Sequence, residues 1–519
     1  MIKTTLLAMP DYDNESVEIE RLQQYLSDNG YQSDCTHLRA NNDIDEHYAR
    51  LDLSSKIFYM SIYSESSVYP ESILILSELA NKIKAEITDS VIIFGSKYAS
   101  VYFKEILGDK RFLSVDCIIL GDGEYTLTEV IDYIDKNGEI SEFAAMHKNI
   151  ASKISMNDKE FLNIDINKLP LPNRFLITNN SGFETYYASI VDSHGCCMNC
   201  SFCTQGQFYK KWTGRTAESI FFEIKKINND SSMRCFWFTR GSFEDPDGEL
   251  GTKKIRDLCN YIVEDNLLIT MKCYMRSNFV SKCDPELLKL MKKAGFCVVL
   301  IGIESANNYD LQLYNKGTTV ENNILALTKL RQAGIYAEHF GFIMINPYST
   351  PERLQANFCF LEDQQPHDLN NYVHHVVADP GTAIRKRIED DGLLISTDDF
   401  LKSGISYRFQ NKHAAEISAF LHKYFLSFNT ETAEITTFIL HMTPFLPNGR
   451  IYEREINLIM CKRALFFSDY FRTLYVDMDI GLCERQYDEF MTTFYKYDTE
   501  VSILKNRIIK DLIKYKIVY

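Results

Sequence analysis

Apolar runs of strand length alternate with amphipathic helical patterns along most of this chain, and that alternation restricts it to a few architectures. Between residues 1 and 136 the strand-like runs are 3–9, 31–37, 56–62, 90–95 and 115–120, with helical patterns at 14–29, 41–50, 69–86, 97–107 and 124–136. The pattern resumes from 183 to 394, with strands expected at 186–192, 234–240, 269–275, 297–303, 335–345 and 372–377. Helices are expected between them at 216–229, 250–265, 284–294, 320–333 and 351–363. Strict alternation builds parallel sheets covered by helices on both faces. Ligands of such sheets sit at the carboxyl ends of the strands.

Two segments break the pattern. Residues 137–182 read as a polar connector ending in Leu169-Pro-Leu-Pro-Asn-Arg, where two prolines forbid regular helix. Residues 395–519 keep only helical spacing, at 415–428, 431–440 and 452–475, and are expected to form a cap over the mouth of the second unit. With 519 residues the chain is too long for one core and divides into units 1–136 and 183–394, the linker 137–182 and the helical region 395–519.

The densest chemistry lies in His194-Gly-Cys-Cys-Met-Asn-Cys-Ser-Phe-Cys-Thr, where Cys196, Cys200 and Cys203 stand in C-x3-C-x2-C spacing. Three thiolates hold three irons of a [4Fe-4S] cluster and leave the fourth open. A zinc site would want a fourth Cys or His at knuckle spacing; Cys197 and His194 lie close, but no second C-x2-C pair follows. Among 14 cysteines, three buried small hydrophobes are a further alternative. The N-terminal segment is too short for a signal h-region and no run approaches the ~20 apolar residues of a membrane span, which fits a reducing cytoplasm. A net charge of −15 argues against a nucleic-acid substrate, which needs a concentrated basic surface.

The cysteine loop resembles that of radical S-adenosylmethionine (SAM) enzymes. Gly195, Phe202 before the third Cys, and the apolar strand Ala188-Ser-Ile-Val ahead of the loop match that family's pattern. The resemblance implies a partial (β/α)6 barrel for 183–394, a [4Fe-4S] cluster on Cys196, Cys200 and Cys203, and SAM on the open iron. It implies Phe202 near the adenine, and Thr239 and Glu244 in the segment that takes the SAM amino group, although Gly-Gly-Glu is missing there. Gly302-Ile-Glu-Ser, followed by Asn315-Lys-Gly, is similar to a sequence shared by cobalamin-type and methylthio-type members, which assigns Glu304 and Ser305 to the ribose or ammonium. Arg276 is expected to reach the SAM carboxylate or to pair with Glu304.

The first unit resembles the Rossmann-like cobalamin-binding domain that precedes many such barrels. Gly121-Asp-Gly-Glu and Phe94-Gly-Ser-Lys stand where those domains carry Gly-Glu-Gly-Glu and Gly-Gly-x-His, so Ser61, Gly95, Gly121, Gly123 and Glu124 are the expected cobalamin contacts. The Asp-x-His-x-x-Gly motif that supplies an axial His is absent. A degenerate domain that binds nothing is the alternative. The family implies a 5′-deoxyadenosyl radical, an electron donor such as flavodoxin or ferredoxin, and a small-molecule or peptide substrate. Methyl transfer to carbon is expected with cobalamin, and peptide epimerisation or cyclisation without it. A tRNA methylthiotransferase would need three further cluster cysteines in the first unit, where only Cys35 and Cys117 occur.

Overall fold

The computed structural model describes residues 2–9, 16–38, 43–62, 70–178, 186–239, 241–246, 248–338, 340–395, 400–401, 406–425 and 431–517. Its first sheet holds β1 (Thr4–Met9), β2 (Ser33–His37), β3 (Ile57–Ile62), β4 (Val91–Gly95), β5 (Cys117–Ile119) and β6 (Ile150–Ala151). The order is β2-β1-β3-β4-β5-β6, parallel except for the antiparallel edge strand β6. This is the doubly wound order in which the chain reverses direction between β1 and β3, opening a crevice above their carboxyl ends. Apolar side chains alternate to two cores, one on each face, as a sheet covered on both sides requires.

The connector does more than span. Its β6 joins the first sheet, and Leu162 receives a backbone bridge from Gly121 in the turn after β5. Gly121 has φ +95°, and a Cβ there would stand 2.0 Å from the Leu162 carbonyl oxygen, so only glycine lets these backbones meet. The expected helix 97–107 is two short helices, Ser96–Val101 and Phe103–Gly108.

The second sheet is built from β7 (Ala188–Ile190), β10 (Cys235–Phe238), β11 (Thr270–Arg276), β12 (Phe296–Gly302) and β13 (Tyr336–Ala337), all parallel in the order β13-β12-β11-β10-β7. Between β7 and β10, β8 (Ser193–His194) and β9 (Thr213–Gly214) form a small antiparallel ribbon around the cysteine loop. The last two expected strands are reduced. Run 335–345 yields only β13, because Gly341 at φ +56° bends the chain along 303–305. Run 372–377 contributes a single parallel bridge, Ile345 to His375.

The helical tail comprises Lys412–Phe425, Glu431–Met442, Gly449–Tyr475 and Ile480–Lys514, the last of which the sequence pattern did not suggest. Its helix Glu431–Met442 lies at the end away from the mouth. His441 Nδ1 meets Thr270 Oγ1 at 2.9 Å, and Phe438, Ile439 and Met442 pack with Cys235, Tyr186, Tyr187 and Tyr336. All of these lie at the amino ends of the strands, opposite the cysteine loop. The aromatic and apolar residues there need a cover, and helical periodicity alone does not say which end a helix covers. No helix among the described residues is long and apolar enough to cross a membrane.

Gly121→Ala is expected to destabilise the first unit by roughly 2–5 kcal/mol, the sum of left-handed strain and overpacking against Leu162. Urea unfolding followed by circular dichroism checks it; an unchanged midpoint would mean that the 120–162 junction yields freely.

Candidate active site

The cysteine loop leaves β7 at the carboxyl edge and is held by elements far along the chain. Ser201 donates its N–H to the Tyr314 carbonyl (2.9 Å) and its Oγ–H to that of Leu313 (2.8 Å), while its own carbonyl accepts from Ile384 N–H (2.9 Å). Asn315 Nδ2 donates to the Asn199 carbonyl at 2.7 Å, and Cys197 N–H donates to Asp245 Oδ2 at 3.1 Å. Gly195 enters the loop at φ +82°. Cys196, Cys200 and Cys203 are free thiols of intermediate exposure, and Cys197 is exposed.

Burial pushes the Cys196 thiol up to about 12, with Asp245 adding to the effect and Met198 N–H, 3.4 Å from the sulfur, opposing it. Burial likewise raises Cys200, against the pull of Lys316. Thiols of this kind become good ligands when a metal supplies the positive charge that the site lacks. Among the described residues no three Cys, His, Asp or Glu side chains converge on a point that would hold one ion. The fit to a metal group therefore rests on the donor set and its loop, for a body with several metal atoms.

Arg276 ends β11 and is buried. Its Nε is 2.8 Å from Glu244 Oε1 and its Nη2 2.8 Å from Asp245 Oδ1, so its partners are these two acids, not Glu304. Burial, reinforced by Asp245 and opposed by Arg276, lifts the Glu244 carboxyl to about 7. Glu244 Oε2 is buried with no donor among the described residues, a vacancy suited to a cation. Thr239 is buried, its N–H bonded to the Ile190 carbonyl at 3.2 Å. Arg240 lies outside the described residues.

Glu304 occupies left-handed backbone (φ +65°) beyond β12. Its Oε1 is 2.6 Å from Lys316 Nζ, and its carboxylate lies where Cβ atoms on Gly302 or Gly341 would intrude, at 2.9 Å in each case. Burial works against the Lys316 ammonium, but Glu304 and the thiols of Cys200 and Cys203 outweigh it and raise its pKa. Lys316, in the Asn-Lys-Gly sequence but given no role from it, is thus a buried cation that acts on the thiols of Cys200 and Cys203. Ser305 is fully buried, and its Oγ is bonded to Asn357 Oδ1 at 3.0 Å. Phe202 packs edge-on to Tyr314, ring centroids 5.6 Å apart, in an apolar cluster with Ile343 and Val376.

The expected cobalamin contacts Ser61, Gly121, Gly123 and Glu124 border a narrow cleft between the first sheet and Phe208–Tyr209. Two of the expected glycines have a close neighbour within the chain. Tyr59 fills the space above Gly95, where a Cβ would be 1.9 Å from its hydroxyl, and Leu162 fills the space at Gly121. Gly123 also faces the Tyr59 hydroxyl, at 3.0 Å from a would-be Cβ. Glu124 Oε1 pairs with Arg21 Nε at 2.8 Å; Arg21 also reaches His194 Nε2 at 3.2 Å. Burial, and then Glu124, raises Asp122 to about 7; Asp122 accepts Ile164 N–H at 2.6 Å. Cys35 on β2 and Cys117 on β5 lie on strands separated by three others, too far apart to share a cluster.

A family model described as the Radical SAM superfamily matches residues 190–358. An uncharacterized methyltransferase of Pyrococcus horikoshii is 25% identical over 355 residues, 67% of this chain and 74% of that protein. The anaerobic magnesium-protoporphyrin IX monomethyl ester cyclase of Cereibacter sphaeroides is 24% identical over 60% of this chain, which spans only 50% of the cyclase. Among solved structures, the cobalamin-dependent SAM radical enzyme OxsB with aqua-cobalamin and SAM bound aligns with a TM-score of 0.69 at 16% identity, over 100% of this chain and 82% of OxsB. The radical SAM methyltransferase TsrM of Kitasatospora setae, with cobalamin and a [4Fe-4S] cluster bound, aligns with a TM-score of 0.60 at 15% identity, over 80% of this chain and 84% of TsrM. At these identities the likeness is one of fold.

Arg276→Leu leaves Glu244 and Asp245 buried without their cation, and is expected to cost roughly 3–5 kcal/mol at pH 8. The loss should shrink at pH 6. With Arg276 present the Glu244 carboxyl, at about 7, is ionised and paired at pH 8 and protonated at pH 6; without the cation it keeps its proton to higher pH, so the two proteins differ at Glu244 only above about 7. Thermal unfolding of the variant at the two pH values tests this; an equal loss at both would remove Glu244 as the source.

Proposed function

We propose, from the match of residues 190–358 to the Radical SAM superfamily model, that this enzyme binds a [4Fe-4S] cluster on Cys196, Cys200 and Cys203 and cleaves SAM reductively to a 5′-deoxyadenosyl radical. The observation that carries the reading is the three-thiol loop pinned at the carboxyl edge of a parallel sheet, beside a buried carboxylate oxygen with no donor. The cluster supplies the electron when bound, from a donor such as flavodoxin or ferredoxin. The protein's part is placement. Glu244 Oε2 offers an acceptor to the SAM ammonium, Phe202 an apolar face to its adenine, and Lys316 holds Glu304 toward the ribose side while lowering the cost of negative charge at the thiols.

Methyl transfer to an unactivated carbon of a small molecule or peptide is our reading of the outcome. It is supported by the fold shared with OxsB and TsrM, whose structures hold cobalamin, and by the cleft at 121–124. Tyr59 narrows this cleft, its hydroxyl end lying over Gly95 and Gly123. That observation favours a second reading, a cobalamin-free radical enzyme of epimerase or cyclase type.

Anaerobically reconstituted protein is expected to bind one cluster and release 5′-deoxyadenosine or a methylated product, and Cys200→Ala should lose both iron and turnover. Full iron in that variant would overturn the ligand assignment. Hydroxocobalamin should remain weakly with the wild type through desalting and more strongly with Tyr59→Ala, read as cobalt absorbance per protein. Colourless protein in both cases, with 5′-deoxyadenosine still formed, would select the second reading.

A further inference from the structure

Along β11, Met271, Cys273 and Met275 are buried against the surrounding helices, while Lys272 and Tyr274 between them are half-exposed. The same parity holds for Trp237 on β10 and Leu300 on β12. Alternate residues of a strand point to opposite faces, so the partly exposed set faces the inside of the barrel and keeps some accessible surface there. The helix Glu431–Met442 closes the floor of that space through His441 and Thr270, and Arg276 with its two acids stands at the top.

The walls have a specific chemistry. Trp237 is flanked by Tyr187, edge-on with centroids 5.2 Å apart, and by Tyr274 at 6.1 Å. Lys272 Nζ lies 4.5 Å over the Trp237 ring and 2.7 Å from Glu338 Oε2. The Trp237 indole nitrogen is buried, and its N–H has no acceptor among the described residues. An occupant that leaves this donor unpaired forfeits a hydrogen bond, so an acceptor is selected. A free anion is disfavoured because Glu338 already neutralises Lys272, and a cation because the ammonium of Lys272 already lies over the indole.

We propose that this chamber, on the reading of the barrel as the reaction site, binds a planar aromatic or heteroaromatic group of the substrate carrying a carbonyl-type acceptor. The ring packs among Trp237, Tyr274 and Tyr187, and the acceptor takes the Trp237 N–H. Trp237 is then the residue that determines substrate class.

The chain has two tryptophans, Trp212 and Trp237, so protein labelled with 5-fluorotryptophan gives two fluorine resonances, assigned with Trp212→Phe. Three probes separate the requirements: oxindole has ring and acceptor, indane the ring alone, and piperidin-2-one the acceptor alone. Oxindole is expected to shift the Trp237 resonance saturably and to bind about tenfold more tightly than either control, the effect of one buried hydrogen bond. Trp237→Phe, followed by thermal shift, should erase the preference over indane, and Tyr274→Leu should weaken both ring probes together. No saturable shift, equal affinity for the three probes, or an oxindole preference that survives Trp237→Phe would overturn the proposal. The readout needs neither SAM nor turnover. A negative result beside Cys200-dependent SAM cleavage removes the aromatic site alone, whereas oxindole binding without SAM cleavage supports the site and removes the radical reading.

Discussion

The buried guanidinium of Arg276 is the fixed point of the site. It joins the end of β11 to Glu244 and Asp245 in the loop after β10, and Asp245 in turn accepts the Cys197 N–H of the cysteine loop. One cation thus sets the relative height of three segments that are distant in sequence. Two carboxylates share it in a dry environment, where a charge without a partner is costly. Arg276 is thus engaged by two acids, and in the proposed site the outward acceptor is Glu244 Oε2, which has no donor among the described residues.

A second polar junction ties the first sheet to the cysteine loop. His194, two residues before Cys196, stacks on Tyr209 and contacts Arg21, which pairs with Glu124 at the start of the helix after the glycine turn. Burial and the Arg21 charge hold His194 well below its ordinary pKa, so it serves as a neutral hydrogen-bonding group. The loop is therefore anchored from the first unit as well as from the barrel. A change in the cleft above Gly123 has a direct path of contacts to the cysteines through Glu124, Arg21 and His194.

Local pattern and long-range placement divide cleanly in this molecule. The helices Ala217–Ser231, Pro285–Ala294, Val320–Ala333 and Pro351–Gln364 start and stop within two residues of their sequence-based bounds, because their caps are written locally: Thr216, Asp284, Thr319 and Thr350 accept first-turn N–H groups. The expected strand 335–345 shrank because Gly341 turns the chain to follow Glu304, a contact that pattern reading does not contain. The 35-residue helix Ile480–Lys514 went unread because its apolar positions are sparse among charged ones, and it is stabilised by packing on Gly449–Tyr475.

The parallel, helix-covered architecture and the C-x3-C-x2-C donor set are legible in the chain alone, since periodicity and ligand spacing are properties of neighbouring residues. Which charges meet depends on how the elements pack. Glu304 chose Lys316 and Arg276 chose Glu244 and Asp245, although the sequence allowed Arg276 and Glu304 to pair. Packing also puts Tyr59 over Gly95, and the helix Glu431–Met442 at the amino ends of the strands. Burial is the physical reason: each buried charge needs a partner and each glycine gap an occupant, and residues distant in sequence supply both only once the sheets have folded.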